Sequence, residues 1–114
     1  MKKTSKEYNG DLHTELFGIA ASALQNLQAK KDAAYGGSWQ KYGVASSIFP
    51  NVARKFDRLA NIITQGVDPG DEPLVDTVAD LATYSMLWLT YIMVHEPQKW
   101  KKWCEANGIS THVE

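Results

Sequence analysis

Two carboxylates, Asp76 and Asp80, stand four residues apart at the start of a long apolar segment, and this spacing could hold a metal ion. An α-helix advances about 100° per residue, so the two side chains lie one turn apart on the same face. Like charges at that spacing repel, and a buried carboxylate is unfavourable unless it is paired or binds a metal. The alternative is that Asp76 favours the positive end of the helix while Asp80 is solvated.

A second polar group lies on the preceding helical segment. Asp57 and Asn61 share one helical face, which points away from the apolar stripe, so a solvated surface is the default interpretation. If this face met the two carboxylates described above, in one chain or across a dimer, the three acids and the amide would form the all-oxygen shell that Mg²⁺ prefers. Lys55 or Arg58 could then hold phosphate oxygens.

The stretch from Lys31 to Trp39 contains two aromatic residues and a glycine pair within a long loop, predicted over residues 33–50. Unusually long loops are often functional. The rings of Tyr35 and Trp39 could stack on a base, while Gly36 and Gly37 would let backbone N–H groups approach a phosphate. The alternative is that both rings cap the core of the bundle.

Apolar residues recur at steps of three and four, which predicts an all-α bundle of about four helices. The predicted helices cover about residues 11–31, 51–65 and 72–95, followed by a short helix that ends near residue 108. Asp11 and Asn51 are the expected N-caps, and Pro73 suits the first turn of the third helix. A further short helix is expected around residues 38–42. No strand pattern competes with this arrangement.

The 114 residues predict one domain over residues 11–108, with a flexible lead-in at 1–10 and a tail at 109–114. The net charge of −1 gives no general support for nucleic-acid binding. The single cysteine, Cys104, excludes an intrachain disulfide and favours the cytoplasm. The apolar stretch 85–94 is too short to span a bilayer, and the charged start does not resemble a signal peptide.

Two further features carry alternative interpretations. Lys99-Trp100-Lys101-Lys102-Trp103 interleaves bases with aromatic rings and could contact single-stranded nucleic acid or a protein partner, or it could pack its tryptophans and leave the lysines solvated. The third helix has too little polar surface for an outer position in a monomer. It therefore predicts a homodimer or homotetramer that buries the following residues: Met86, Trp88, Leu89, Ile92 and Met93.

Three segments in this order resemble the nucleotide modification associated domain family of phages and prophages, which is similar to the MazG-like all-α NTP pyrophosphatases. The segments are Lys31-Asp32-x-x-Tyr35-Gly36-x-Ser38-Trp39, Lys55-Phe56-Asp57-Arg58-Leu59-x-Asn61 and Glu72-Pro73-x-x-Asp76-Thr77-x-x-Asp80-Leu81-x-x-Tyr84. The resemblance covers roughly residues 11–95.

This resemblance implies a Mg²⁺-dependent pyrophosphohydrolase, with Mn²⁺ as an alternative metal, that cleaves the α–β phosphate bond of a dNTP or modified dNTP. The implied metal-binding and catalytic residues are Asp57, Asp76 and Asp80. The implied nucleotide-binding residues are Lys31, Asp32, Tyr35, Trp39, Lys55, Arg58, Asn61 and Tyr84. It also implies a dimer or tetramer.

The chain departs from the four-carboxylate pattern of the MazG-like enzymes. Asp80 matches the aspartate of their second metal motif, but Thr77 stands where its glutamate would be. In the first metal motif, Asp57 matches the second acid, and Arg54 occupies the position of the first acid. A non-catalytic nucleotide-binding or sequestering protein of the same fold is therefore the alternative function.

Overall fold

The structure is a computed structural model that describes residues 9–35, 40–41, 43–66 and 74–112, without the side chain of Tyr35. It confirms the all-α fold class, and the described residues contain no β-strand. Within these ranges four α-helices follow one another, and a short π-helix directly precedes the second. The helices are α1 (Gly10–Tyr35), α2 (Phe49–Gln65), α3 (Leu74–His95) and α4 (Pro97–Asn107), with the π-helix at Val44–Ile48.

The chain divides into two units, Met1–Gly36 and Gly37–Glu114. The boundary lies between Gly36 and Gly37, the glycine pair of the predicted loop. Helix α1 belongs to the first unit, whereas the π-helix, α2, α3 and α4 belong to the second. The prediction of one domain over residues 11–108 stays a prediction.

Helix α1 begins earlier and ends later than its pattern predicts. The side-chain oxygen of Asn9 accepts a hydrogen bond from the backbone N–H of Leu12 at 3.0 Å, which is the geometry of an N-cap. The prediction that Asp11 is the cap is therefore wrong, and Asp11 instead lies in the first turn. The helix extends to Tyr35, beyond the predicted end at residue 31.

The second half of the predicted loop 33–50 is helical, so that part of the prediction is wrong. The π-helix runs directly into α2, and Pro50 lies in the first turn of α2, a position that proline commonly occupies. Asn51 is not the N-cap, because its side-chain amide donates to the carbonyl of Ser47 at 2.8 Å from within the helix. Most of the short helix predicted around 38–42 lies outside the described residues.

The second unit is held together where the π-helix and α2 pack against α3. Ile48, the last residue of the π-helix, is fully buried, and Leu87 of α3 is also buried. Phe49 of α2 meets Trp88 of α3 edge to face, with ring centroids 6.1 Å apart. These contacts fix the face that α3 turns towards α2.

Gly43 precedes the π-helix with a φ of 74°, in the left-handed region that favours glycine. A Cβ atom built there would lie 3.6 Å from the hydroxyl of Tyr91 on α3. The φ value therefore accounts for a glycine at the entry to the π-helix.

Helix α4 follows α3 after a single residue, Glu96, and starts with Pro97 as its first residue. Gly108 ends it in the left-handed conformation, and the N–H of Ile109 bonds to the carbonyl of Cys104 at 2.9 Å. The indole N–H of Trp100 donates to the carbonyl of Thr111 at 2.9 Å. These two hydrogen bonds therefore hold the residues that follow α4 against the helix.

Candidate functional site

The clearest polar contact of the second unit joins α2 to α3. The Nζ atom of Lys55 lies 2.9 Å from a carboxylate oxygen of Asp80. The side chain of Lys55 is 6% exposed and that of Asp80 is 33% exposed, so the pair lies at the edge of the α2–α3 packing. A lysine is rarely this buried unless it is paired, and the opposite charge on α3 meets this requirement.

Neighbouring residues extend this contact into a mixed-charge surface. Arg58 lies one turn after Lys55 on α2 and is half-buried. Tyr84, one turn after Asp80 on α3, is also half-buried, and Thr77, three residues before Asp80, is fully buried. Lys55 and Asp80 are in contact, and helical spacing places Arg58 and Tyr84 one turn away from them on the same two helices.

Asp76 lies one turn before Asp80 on α3 and is exposed. The two carboxylates share a helical face as predicted, but their surroundings differ, because Asp80 is paired and partly covered while Asp76 faces solvent. We use the name "α2–α3 surface" for Lys55, Arg58, Asp76 and Asp80. This surface carries two cations and two carboxylates.

Asp57 and Asn61 do not join this surface within the chain. Asp57 follows Lys55 by two residues, which turns it by about 200° around α2. Since Lys55 faces α3, Asp57 faces away, and both Asp57 and Asn61 are exposed. The described geometry does not bring them to the carboxylates of α3 within one chain, and their expected meeting across a dimer stays a prediction.

The described residues also contain no group of three or more His, Cys, Asp or Glu side chains that could hold a metal ion. A site built on Asp57, Asp76 and Asp80 of a single chain is therefore not formed. Mg²⁺, however, is commonly held by one or two carboxylates together with substrate phosphates and water. The pair Asp76 and Asp80 meets that smaller requirement, and the bound metal stays a prediction.

The remaining predicted nucleotide-binding residues lie on or after α1. Lys31 is exposed, and Asp32 is half-buried and accepts a hydrogen bond from the side-chain amide of Gln28 at 2.9 Å. The side chain of Tyr35 and all of Trp39 lie outside the described residues. Their predicted contact with a base stays a prediction.

The pairing of Lys55 with Asp80 was not predicted from the sequence, although one signal indicates it. Lys55 stands three residues after Val52, four before Leu59 and seven before Ile62, so it interrupts an apolar stripe of α2. A charged residue inside an apolar stripe needs a buried partner. The carboxylates of α3 were the natural candidates for that partner.

Comparison with known proteins finds a similarity to a phage protein. The chain is 30% identical to the "Gene 30 protein" of Bacillus phage SP01 over 117 aligned positions, which cover 83% of this chain and 52% of the phage protein. The chain thus spans about half the length of that relative. The similarity supports the phage connection, but the name of the phage protein specifies no activity.

Comparisons with protein families and with solved structures find no match. The resemblance to the nucleotide modification associated domain family and to MazG-like enzymes therefore rests on the sequence segments themselves. Its implications for nucleotide, metal and assembly stay predictions.

One of the described helices, α3, is long and apolar enough to cross a membrane by length and composition, and 11% of its apolar window is buried within the chain. This helix is longer than the stretch 85–94 on which the sequence-based exclusion of a membrane span rested. A helix in the core of a soluble protein meets the same criterion, so the finding is weak. A cytoplasmic location stays a prediction.

Proposed function

We propose that the protein binds a nucleoside triphosphate together with Mg²⁺ at the α2–α3 surface and cleaves its α–β phosphate bond. The observation that carries this proposal is the ion pair between Lys55 and Asp80, which places a cation and a carboxylate side by side on facing helices. A metal–nucleotide complex requires both kinds of group, cations for the phosphate oxygens and carboxylates for the metal.

The residues of the α2–α3 surface divide naturally between these two tasks. Lys55 and Arg58 lie one turn apart on α2 and would contact phosphate oxygens. Asp76 and Asp80 lie one turn apart on α3 and would hold Mg²⁺, which would neutralise phosphate charge. In this scheme Lys55 exchanges its carboxylate partner for a phosphate oxygen when the nucleotide binds.

A second candidate is nucleotide binding without hydrolysis. It is favoured by the finding that no group of three potential metal ligands forms among the residues that the structure describes. An Asp57 directed away from α3 also leaves fewer acids to position a water molecule. Pyrophosphate release separates the two candidates, because both bind nucleotide and only the first produces pyrophosphate.

The substitution Asp76→Asn tests the metal-binding role without disturbing the ion pair. Asp76 is exposed, so we expect an unchanged melting temperature and a Mg²⁺-dependent nucleotide affinity lowered about tenfold or more. Calorimetric titration with a panel of dNTPs, with Mg²⁺ or Mn²⁺, measures the affinity, and a pyrophosphate assay measures turnover. Asp11→Asn, an exposed aspartate in the first turn of α1, is the matched control.

If no nucleotide of the panel stabilises or binds the wild-type protein with either metal, the proposed function is wrong. If nucleotides bind equally well to the wild type and the Asp76→Asn variant, the metal assignment is wrong. Binding without pyrophosphate selects the second candidate.

We also propose that the chain forms a homodimer through the outer face of α3. This face lies opposite the one that packs on α2, and its apolar residues recur at steps of three and four. They are Val75, Val78, Ala82, Met86, Leu89 and Met93. Four of them are among the exposed large hydrophobic side chains: Val75, Val78, Met86 and Leu89. Trp88, in contrast, already packs on Phe49.

The substitution Leu89→Lys is expected to convert the dimer to a monomer, because Leu89 is 46% exposed on this face and a lysine there would have to be desolvated at the interface. Light scattering after size-exclusion chromatography at micromolar concentration measures the mass. Val94→Lys places the same charge at another exposed position of α3 and should leave the dimer intact. A monomeric wild-type protein would contradict the proposal.

A further inference from the structure

We infer that α4 presents a binding surface for single-stranded nucleic acid, formed by Trp103 together with Lys99 and Lys102. This surface, which we name the α4 platform, is separate in sequence from the α2–α3 surface. The inference does not depend on the function proposed above.

The first observation is a pair of stacked indole rings. The ring centroids of Trp100 and Trp103 are 5.4 Å apart, and their planes differ by 25°. Trp100 is half-buried and is held by its hydrogen bond to Thr111, whereas Trp103 is 49% exposed. The inner ring supports the outer one, so an exposed indole is held in position and would lose little conformational freedom when a base stacks on it.

The second observation is the charge beside that ring. Helix α4 contains three lysines and one glutamate in a chain whose net charge is −1. Lys99 lies one turn before Trp103, and Lys102 directly precedes it, and both are exposed. Lys99 pairs with Glu96, but its side chain is 73% exposed. An exposed pair of this kind is weak, so a phosphodiester can replace the glutamate.

The same composition could attract an anionic membrane, but the distribution of apolar residues favours nucleic acid. Trp103 is the one exposed large hydrophobic side chain that α4 carries among the described residues. The other exposed residues of the helix are polar except for Ala106: they are Gln98, Lys99, Lys102, Glu105 and Asn107. A helix that inserts into a membrane interface needs a continuous apolar face, whereas a stacked base needs a single ring with cations nearby.

The test uses the whole 114-residue chain and a fluorescently labelled oligo(dT) strand of about 20 nucleotides, long enough to exceed the site size of a typical single-strand binder. Binding is followed by anisotropy at several salt concentrations, and we expect the wild type to bind at low salt. Trp103→Ala should weaken binding by about five- to 150-fold, and Trp103→Phe should retain most of it, because a ring remains for stacking. Replacing Lys99 and Lys102 together by glutamine should reduce the slope of log affinity against log salt by about 1.4.

Two control variants match these changes elsewhere on the chain. Phe17→Ala removes an aromatic ring that is 79% exposed on α1, and Lys30→Gln removes an exposed lysine of the same helix. Both should bind oligo(dT) like the wild type. The lysine variants change exposed side chains only, so they keep the test valid even if Trp103→Ala unfolds α4.

Three results would overturn the inference. The first is no binding of oligo(dT) at low salt, and the second is binding that the control variants weaken as much as the α4 variants do. The third is binding to phosphatidylglycerol vesicles without binding to oligo(dT), which would identify α4 as a membrane-contacting helix.

Discussion

Replacing Asp80 by leucine is expected to lower the free energy of unfolding by about 3 kcal/mol, because it removes the carboxylate that Lys55 pairs with. Removing one partner of a buried ion pair costs roughly 3–5 kcal/mol. Since Asp80 is 33% exposed, its loss should lie at the lower end of that range. Urea denaturation followed by circular dichroism measures the change.

Lys55→Met should cost less, about 1 kcal/mol, because the carboxylate left behind is partly exposed and can be hydrated. The double variant Lys55→Met/Asp80→Leu should recover most of the stability lost by Asp80→Leu, because apolar residues can replace a buried ion pair with little loss. If the two single changes simply add in the double variant, the pair does not stabilise the fold as we describe. The double variant also removes both charges from a folded protein, so it should fail to bind nucleotide.

Ile48→Ala is the second substitution with a large expected effect. Ile48 is fully buried at the junction between the π-helix and α2. Truncating a buried isoleucine to alanine removes packed methyl groups and leaves a cavity, at about 2–5 kcal/mol. We expect a loss of about 3 kcal/mol, and a melting temperature lowered by roughly 12–24 °C. Calorimetry measures both quantities.

Ile63→Ala makes the same chemical change at a residue of α2 that is 75% exposed. It should alter the free energy of unfolding by no more than about 0.5 kcal/mol. Equal losses for the two variants would show that Ile63 is buried in solution by something beyond its own unit. The comparison therefore tests two points: whether Ile48 belongs to the core, and whether anything beyond the second unit covers Ile63 in solution.

The helices of the fold were predictable because their patterns and end signals are local. Pro97 and Gly108 mark the ends of α4, and the structure places them there. The π-helix was not predictable, because its five residues show no recurring spacing and a proline follows them, which is also typical of the end of a loop. In the structure, Pro50 occupies a helical first turn, a position where proline is as typical as in a loop.

The candidate site was predictable in its residue types but not in its geometry. Asp76 and Asp80 share a face because they lie on one helix, which sequence spacing alone determines. The side of α2 that meets α3 depends on tertiary packing, in which Lys55 faces inwards and Asp57 outwards. Helical spacing indicates that these two residues diverge, but it does not indicate which of them faces α3.

The π-helix at Val44–Ile48 has a consequence for how related proteins can vary. Such a turn holds one residue more than regular α-helix needs, so losing a single residue there would let the helix continue without interruption. Because a π-turn takes up its extra residue within one full turn, the helical residues on either side of it, including Lys55, would keep their faces. A one-residue gap in an alignment at this point would therefore be compatible with an unchanged pairing of Lys55 and Asp80.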